Sequence, residues 1–213
     1  MKCEKEMMRL YAVTDRTWCH DQTLLQQVQC ALKGGVTCVQ LREKHLDDEE
    51  FLKEAIAMKQ LCEQYHVPFI INDNVDIAIK CHADGVHVGQ NDMDVKEVRS
   101  LVGDKMMIGV STQTLDQALK AQRDGADYLG VGSMFVTTTK LDALSVSFET
   151  LKDICESVDI PVVAIGGINK DNILQLSGSH VDGVALVSAI FGAHDIQKEC
   201  QILRQFSEEM VKV

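Results

Sequence analysis

Gly125-Ala126-Asp127-Tyr128-Leu129-Gly130-Val131 is a turn signal running directly into a short apolar run. The amphipathic segment Leu115–Asp124 stands just before it, so the stretch reads as helix, turn and buried strand. The same order recurs along the chain. Gly34-Gly35 precede the run Cys38–Leu41, Asp84-Gly85 precede 86–88, and Asp182-Gly183 precede 184–187. Adding the runs Leu10–Val13, 69–71, 107–110 and Val162–Ile165 gives eight strands, which alternate with helix-like segments such as 23–32, 48–65 and Ile196–Met210. In 48–65 the residues Phe51, Ala55, Met58, Leu61 and Cys62 recur at helical spacing, while Lys53, Glu54, Lys59 and Glu63 face outward. Asp47 and Asp48 at its start fit an N-cap and the helix dipole.

Strict alternation of helices with mostly continuous apolar strands predicts a parallel sheet buried on both faces. Eight such units close into a barrel. An open doubly wound sheet is the alternative, but the G-x-G-x-x-G signature after the first strand is missing. The expectation is therefore an α/β fold, a single (β/α)8 TIM barrel domain over residues 1–213.

Composition sets the outer limits. The chain is 46% hydrophobic and 25% charged, as ordinary soluble globular proteins are, and with two prolines it shows no linker. A net charge of −11, spread along the sequence, argues against a nucleic-acid partner. The eight cysteines lie mostly at apolar positions with no C-x-x-C spacing, so buried reduced thiols are expected rather than disulfides or zinc. The charged N-terminus lacks a signal-peptide core, and no apolar run reaches the ~20 residues of a membrane span. These features predict a cytoplasmic protein with no membrane partner; a homo-oligomer is compatible with them.

In a barrel of this kind the chemistry sits where the strands end. After the second strand comes Gln40-Leu41-Arg42-Glu43-Lys44, in which Gln40, Arg42 and Lys44 alternate to one face and Leu41 and Glu43 to the other. Three converging donors, two of them cationic, suit a multiply charged anion such as pyrophosphate; a solvated strand end is the plainer alternative. Asp73 and Asp92 follow neighbouring strands three and four. Two carboxylates suit Mg2+, and the same pair is equally placed to cap the helices that follow. A pyrophosphate beside aspartates needs a cation between them, which favours the metal.

Gly166-Gly167 follow strand seven, with residues 169–171 expected to open a helix. Barrels often hold a phosphate between the loops after strands seven and eight, here Gly167 with Val187-Ser188, although a tight turn also explains the glycines. Ser111 follows strand five, Asn72 strand three, and Thr137-Thr138-Thr139-Lys140 forms a hydroxyl-rich loop ending in a cation. His87, between Val86 and Val88, is expected to face the barrel interior as a packed, hydrogen-bonded histidine. No H-E-x-x-H, G-x-x-x-x-G-K-[ST] or Ser-His-Asp order occurs.

Taken together, Leu10-Tyr11-Ala12-Val13-Thr14-Asp15, Gln40-Leu41-Arg42-Glu43-Lys44, Asn72-Asp73, Gly85-Val86-His87-Val88-Gly89-Gln90-x-Asp92, Gly109-Val110-Ser111, Thr137-x-Thr139-Lys140-x-Asp142-Ala143, Pro161 through Ile168 and Val187-Ser188-Ala189-Ile190 closely resemble the thiamine phosphate synthase family over nearly the whole chain. The resemblance implies a transferase of thiamine biosynthesis. It would join aminomethylpyrimidine diphosphate to a thiazole phosphate and release pyrophosphate. It further implies that Gln40, Leu41, Arg42, Glu43, Lys44, Asn72, Ser111 and Lys140 hold the diphosphate substrate, and that Asp73 and Asp92 hold Mg2+. Thr137, Thr138, Thr139, Gly167, Val187 and Ser188 would contact the thiazole phosphate. Arg42, Lys44, Lys140 and Ser111 would act in catalysis by a dissociative route.

One departure stands out. Family members commonly carry Gly-Pro-x-Phe-Pro-Thr where this chain has Gly132-Ser133-Met134-Phe135-Val136-Thr137, which leaves the loop before Lys140 less constrained. A thiazole tautomerase-like relative would have no use for a diphosphate site. A sugar-phosphate epimerase would want metal-binding histidines and paired acids at the rim. A barrel kept only to bind thiazole phosphate would have lost these cations and carboxylates.

Overall fold

A computed structural model describes residues 3–136 and 145–212. Eight parallel strands close a barrel in sequence order: β1 (Leu10–Val13), β2 (Cys38–Leu41), β3 (Phe69–Asn72), β4 (Gly85–Val88), β5 (Met107–Thr112), β6 (Tyr128–Val131), β7 (Val162–Ile165) and β8 (Gly183–Leu186), with β8 returning to β1. The expected strands are all present, four with the same bounds and the others shifted or extended by one or two residues.

The helices are α1 (Leu24–Lys33), α2 (Asp48–Gln64), α3 (Val75–Lys80), α4 (Val95–Val102), α5 (Leu115–Asp124), α6 (Phe148–Ser157), α7 (Ser188–Phe191) and α8 (Ile196–Met210). Side-chain oxygens start most of them: Thr23 in a capping box with Gln26 for α1, Asp47 for α2, Thr114 for α5 and Ser147 for α6. One expected helix is absent. Between β7 and β8 there is only a short 3-10 turn at Ile173–Leu176. Residues 169–171 form side-chain turns instead, with Asn169 Oδ1 accepting from Asp171 N and Asn172 Oδ1 from Asn169 N. Asparagine amides here take the bonds that a helix would have used.

The turn signals before the even strands have a physical purpose. Asp84 accepts from Phe69 N of β3, Asp127 from Ile108 N of β5, and Asp182 from Val162 N of β7, at 2.7–2.9 Å. Thr37 does the same for Leu10 N of β1. Each aspartate is also salt-bridged, to Lys59, Arg99 and Lys5 respectively. The residue preceding each even strand therefore ties it to the strand before, at the end of the barrel where the strands begin.

Alternation divides the apolar residues into two layers. Leu10, Ala12, Val39, Leu41, Ile71, Val86, Val88, Ile108, Leu129 and Val131 pack outward against the helices. Tyr11, Val13, Cys38, Ile70, Met107, Tyr128, Val163 and Ala185 fill the interior. Cys3, Cys38, Cys62, Cys81 and Cys200 are buried and all eight cysteines are free, matching the expectation of reduced thiols. Burial pushes the thiols of Cys3, Cys62 and Cys200 up to about 12. Among the described residues no helix is long and apolar enough to cross a membrane.

Candidate active site

The barrel interior opens at the strand ends into a cavity of about 340 Å³, within the range of small-molecule sites. Gln40, Arg42, Asn72, Ser111, Gly167, Val187 and Ser188 line it, bringing together residues from β2, β3 and β5 with the loops after β7 and β8.

The stretch running out of β2, Gln40 to Lys44, divides as its alternation predicts, apart from Lys44, which is absent from the lining. Gln40 is buried and its Nε2 donates to Tyr11 Oη at 2.8 Å. Arg42 lies 4.0 Å from Asp15 Oδ2, and its backbone N–H is held by Thr14 Oγ1. Leu41 is fully buried among the outward residues, where a side chain of this size contributes about 1.5–3 kcal/mol. Its side chain cannot reach the cavity. Glu43 also turns away: Arg16, in the loop after β1, donates to it at 2.8 Å and to Glu54 of α2 at 2.5 Å. Its side chain is 4% exposed, so it serves as an anchor between loops. Burial pushes the Glu54 carboxyl up to about 7; Arg16 pulls it down and the Glu43 charge pushes it up.

Lys44 Nζ reaches Asp73 Oδ2 at 2.5 Å, joining the candidate diphosphate and metal residues. Asp73 has φ of 62°, a left-handed conformation that aspartate tolerates better than most residues, and its N–H donates to His87 O of β4. Asp92 Oδ2 accepts from Gly89 N at 2.7 Å. Neither aspartate caps a helix. That task falls to Asn74 for α3 and Asp94 for α4, which leaves Asp73 and Asp92 at the rim. Asp73 and Asp92 each offer carboxylate oxygens, the hard donor type that Mg2+ takes together with water and ligand oxygens. Among the described residues no group of three or more His, Cys, Asp or Glu side chains is gathered as a metal site.

Gly166 and Gly167 have φ of 97° and 66°, and a Cβ on Gly167 would lie 2.5 Å from Val136 O. Positive φ and this close approach both require glycine. Phe135 N donates to Gly166 O, so the chain leading toward residue 137 is fastened to the glycine turn. Thr137, Thr138, Thr139 and Lys140 lie outside the described residues.

Sequence reading missed Tyr11 and Tyr128 as members of the site. Tyr11 Oη meets Tyr128 Oη at 2.8 Å, Tyr128 Oη meets His87 Nδ1 at 3.1 Å, and His87 Nε2 meets Ser111 Oγ at 2.9 Å. His87 is thus packed and hydrogen-bonded as expected. The usable signal was glycine at interior positions. A Cβ on Gly109 would lie 2.1 Å from the Tyr128 ring and 2.5 Å from His87 Nδ1, so this glycine makes room for both. Burial keeps both phenols far above their ordinary pKa, hence neutral.

Residues 10–190 match the family model described as thiamine monophosphate synthase. The chain is 52% identical over 197 residues to the thiamine-phosphate synthase of Clostridioides difficile, covering 92% of this chain and 94% of that one. It is 48% identical over 200 residues to the corresponding protein of Clostridium tetani, covering 94% and 96%. Among solved structures, the thiamine phosphate pyrophosphorylase of Pyrococcus furiosus superposes with a TM-score of 0.90 at 40% identity, covering 97% of this chain and 98% of that one.

Proposed function

The chain belongs to the thiamine monophosphate synthase family, and on that premise we propose that it transfers the aminomethylpyrimidine methyl group from its diphosphate to the nitrogen of a thiazole phosphate. Pyrophosphate leaves and thiamine phosphate forms. The observation that carries this reading is the convergence of Gln40, Arg42, Asn72 and Ser111 with Gly167, Val187 and Ser188 on one cavity. One cavity with a cationic edge and a glycine-lined edge suits two phosphorylated substrates facing each other.

In this reading the pyrimidine ring sits between Gln40 and Ser111, and its diphosphate extends toward Arg42, Lys44, Asn72 and Lys140. The bond from the methylene carbon to the diphosphate oxygen breaks first. The pyrimidine ring stabilises the resulting cation, and the thiazole nitrogen then attacks it. Charge develops on the leaving oxygens, where Arg42, Lys44 and Lys140 stabilise it; a strong base is not required. Asp73 and Asp92 would hold Mg2+, which when bound supplies further neutralisation of the diphosphate. The thiazole phosphate is assigned to Gly167, Val187 and Ser188, with Thr137, Thr138 and Thr139.

The test is to mix both substrates with Mg2+ and follow thiamine phosphate and pyrophosphate. Formation of both in equal amounts is expected. A chain that releases neither removes the reading.

A further inference from the structure

Five side chains from five strands form a continuous hydrogen-bonded line across the barrel interior: Gln40, Tyr11, Tyr128, His87 and Ser111. Their hydrogens are constrained collectively. Gln40 Nε2 has only hydrogens to offer, so Tyr11 Oη accepts from it; the Tyr11 proton then goes to Tyr128 Oη at 2.8 Å in preference to the neighbouring Cys38 Sγ, a weak acceptor. Tyr128, having accepted, donates to His87 Nδ1. A neutral imidazole that accepts at Nδ1 carries its proton on Nε2, which therefore donates to Ser111 Oγ. Ser111 is left with a proton to offer, and it lines the cavity, as does Gln40. With its nitrogen committed to Tyr11, Gln40 has its carbonyl oxygen as the acceptor for a ligand.

We propose that this line is a one-way relay. It fixes His87 as the Nε2–H tautomer and presents the cavity with an acceptor at Gln40 and a donor at Ser111. Tyr11, Tyr128 and His87 are then positioning residues, which set the polarity of two groups that touch substrate. A nitrogen heterocycle with an exocyclic amine matches that polarity, its N–H meeting Gln40 and a ring nitrogen meeting Ser111. An oxo-substituted ring of the same shape presents an acceptor where the amine should be and leaves Gln40 facing another oxygen.

Three features support a built relay over incidental contact. The phenols are fully buried, where an unmade bond is costly. Gly109 is required for Tyr128 and His87 to approach, and Gly130 stands 3.2 Å from His87 by the same measure. The rings are packed against one another, with Tyr128 centred 5.9 Å from Tyr11 and 5.5 Å from His87. The line has one consistent direction once the Gln40 amide is set, so altering a middle member should be felt at both ends.

The experiment combines ring 15N NMR of the full chain, with His87 assigned by its loss in His87→Gln, and steady-state kinetics. In the wild type Nε2 should be protonated and Nδ1 an unprotonated, hydrogen-bonded acceptor; a proton on Nδ1 overturns the proposal. Tyr128→Phe should shift the Nδ1 resonance away from its wild-type position. It should also raise KM for the aminopyrimidine diphosphate about tenfold, the scale of one hydrogen bond, with KM for the thiazole phosphate within twofold. Tyr11→Phe should reproduce the KM split while leaving Nδ1 bonded, and it serves as the second reading if Tyr128→Phe folds poorly. An unchanged Nδ1 signal in folded Tyr128→Phe, or equal changes in both KM values for either variant, overturns the relay. The kinetic half rests on the proposed reaction and the ring-nitrogen half does not, so failure of one is distinguishable from failure of the other.

Discussion

The two ends of this barrel use the same residue types for opposite purposes. Where the strands begin, Asp84, Asp127 and Asp182 each accept a backbone N–H from the neighbouring strand and pair with a cation. Where the strands end, Asp73 and Asp92 cap no helix, and Arg42 has a carboxylate only at the 4.0 Å limit of an ion pair. Carboxylates at the first end tie one strand to the next, while at the second Asp73 pairs with Lys44 and Asp92 with the Gly89 N–H of its own loop, partners that join no two strands of the sheet. This is the division expected of a barrel whose stability and chemistry lie on opposite faces.

The largest effect should come from breaking that division at its open end. Arg42→Ala should lower kcat by about 100- to 1,000-fold, the scale of removing one preorganised donor from a developing charge, with Tm little changed. Asp127→Ala should do the reverse. It leaves Ile108 N without its acceptor and takes from Arg99 its one carboxylate partner among the described residues, the guanidinium keeping the carbonyls of Gly103, Met106 and Gly125; the cost should be about 1–3 kcal/mol, or several degrees at roughly 2–4 °C per kcal/mol, at near-normal turnover. Calorimetry and steady-state kinetics on both proteins check the contrast. Arg42→Ala with near-normal kcat removes the diphosphate assignment, and Asp127→Ala with wild-type Tm removes the clamp.

A smaller effect should follow at the carboxylates of the rim. Chelation should abolish activity and added Mg2+ restore it. In Asp73→Asn or Asp92→Asn the Mg2+ concentration for half-maximal rate should rise by at least about tenfold. Activity indifferent to chelator sinks the metal assignment. The Lys44–Asp73 pair adds a condition: with the two in contact at 2.5 Å, a cation on Asp73 and a diphosphate on Lys44 would have to separate them, so on the proposed assignment Lys44→Met should lower kcat while tightening Mg2+ binding measured without substrate.

Much of this contrast was legible in the sequence. The recurring Gly/Asp turns marked the closed end, because a residue that must accept one backbone N–H at a fixed place returns at a fixed place in the pattern. Alternation placed Gln40 and Arg42 inside and Leu41 outside, since a strand has only two faces. The division of labour among neighbouring aspartates and asparagines was not legible. Asp73 and Asn74, or Asp92 and Asp94, are all competent caps, and only the backbone path decides which one serves. The relay was hidden for a different reason: tyrosines within apolar runs read as core, and the bonds joining Tyr11 to Tyr128 span 117 residues.

One rim carboxylate breaks the rule that this end is left open, and it gives the smallest prediction. Arg16 serves both Glu43 and Glu54, so a single guanidinium faces two carboxylates. The half-buried Glu54 is held up to about 7, against an ordinary value of 4.5. A carboxyl whose folded pKa lies above its unfolded one binds its proton more tightly when folded. The stability it contributes is therefore fully present below about pH 4.5 and is lost as pH rises through about 7. Glu54→Gln removes that dependence while keeping Glu43 for Arg16. Between pH 5 and pH 8 the wild-type Tm should fall relative to the variant's. The difference should stay within a few degrees, because Arg16 and Glu54 are partly exposed and solvent screens them. Parallel Tm curves would mean that Glu54 ionises no differently in the folded chain.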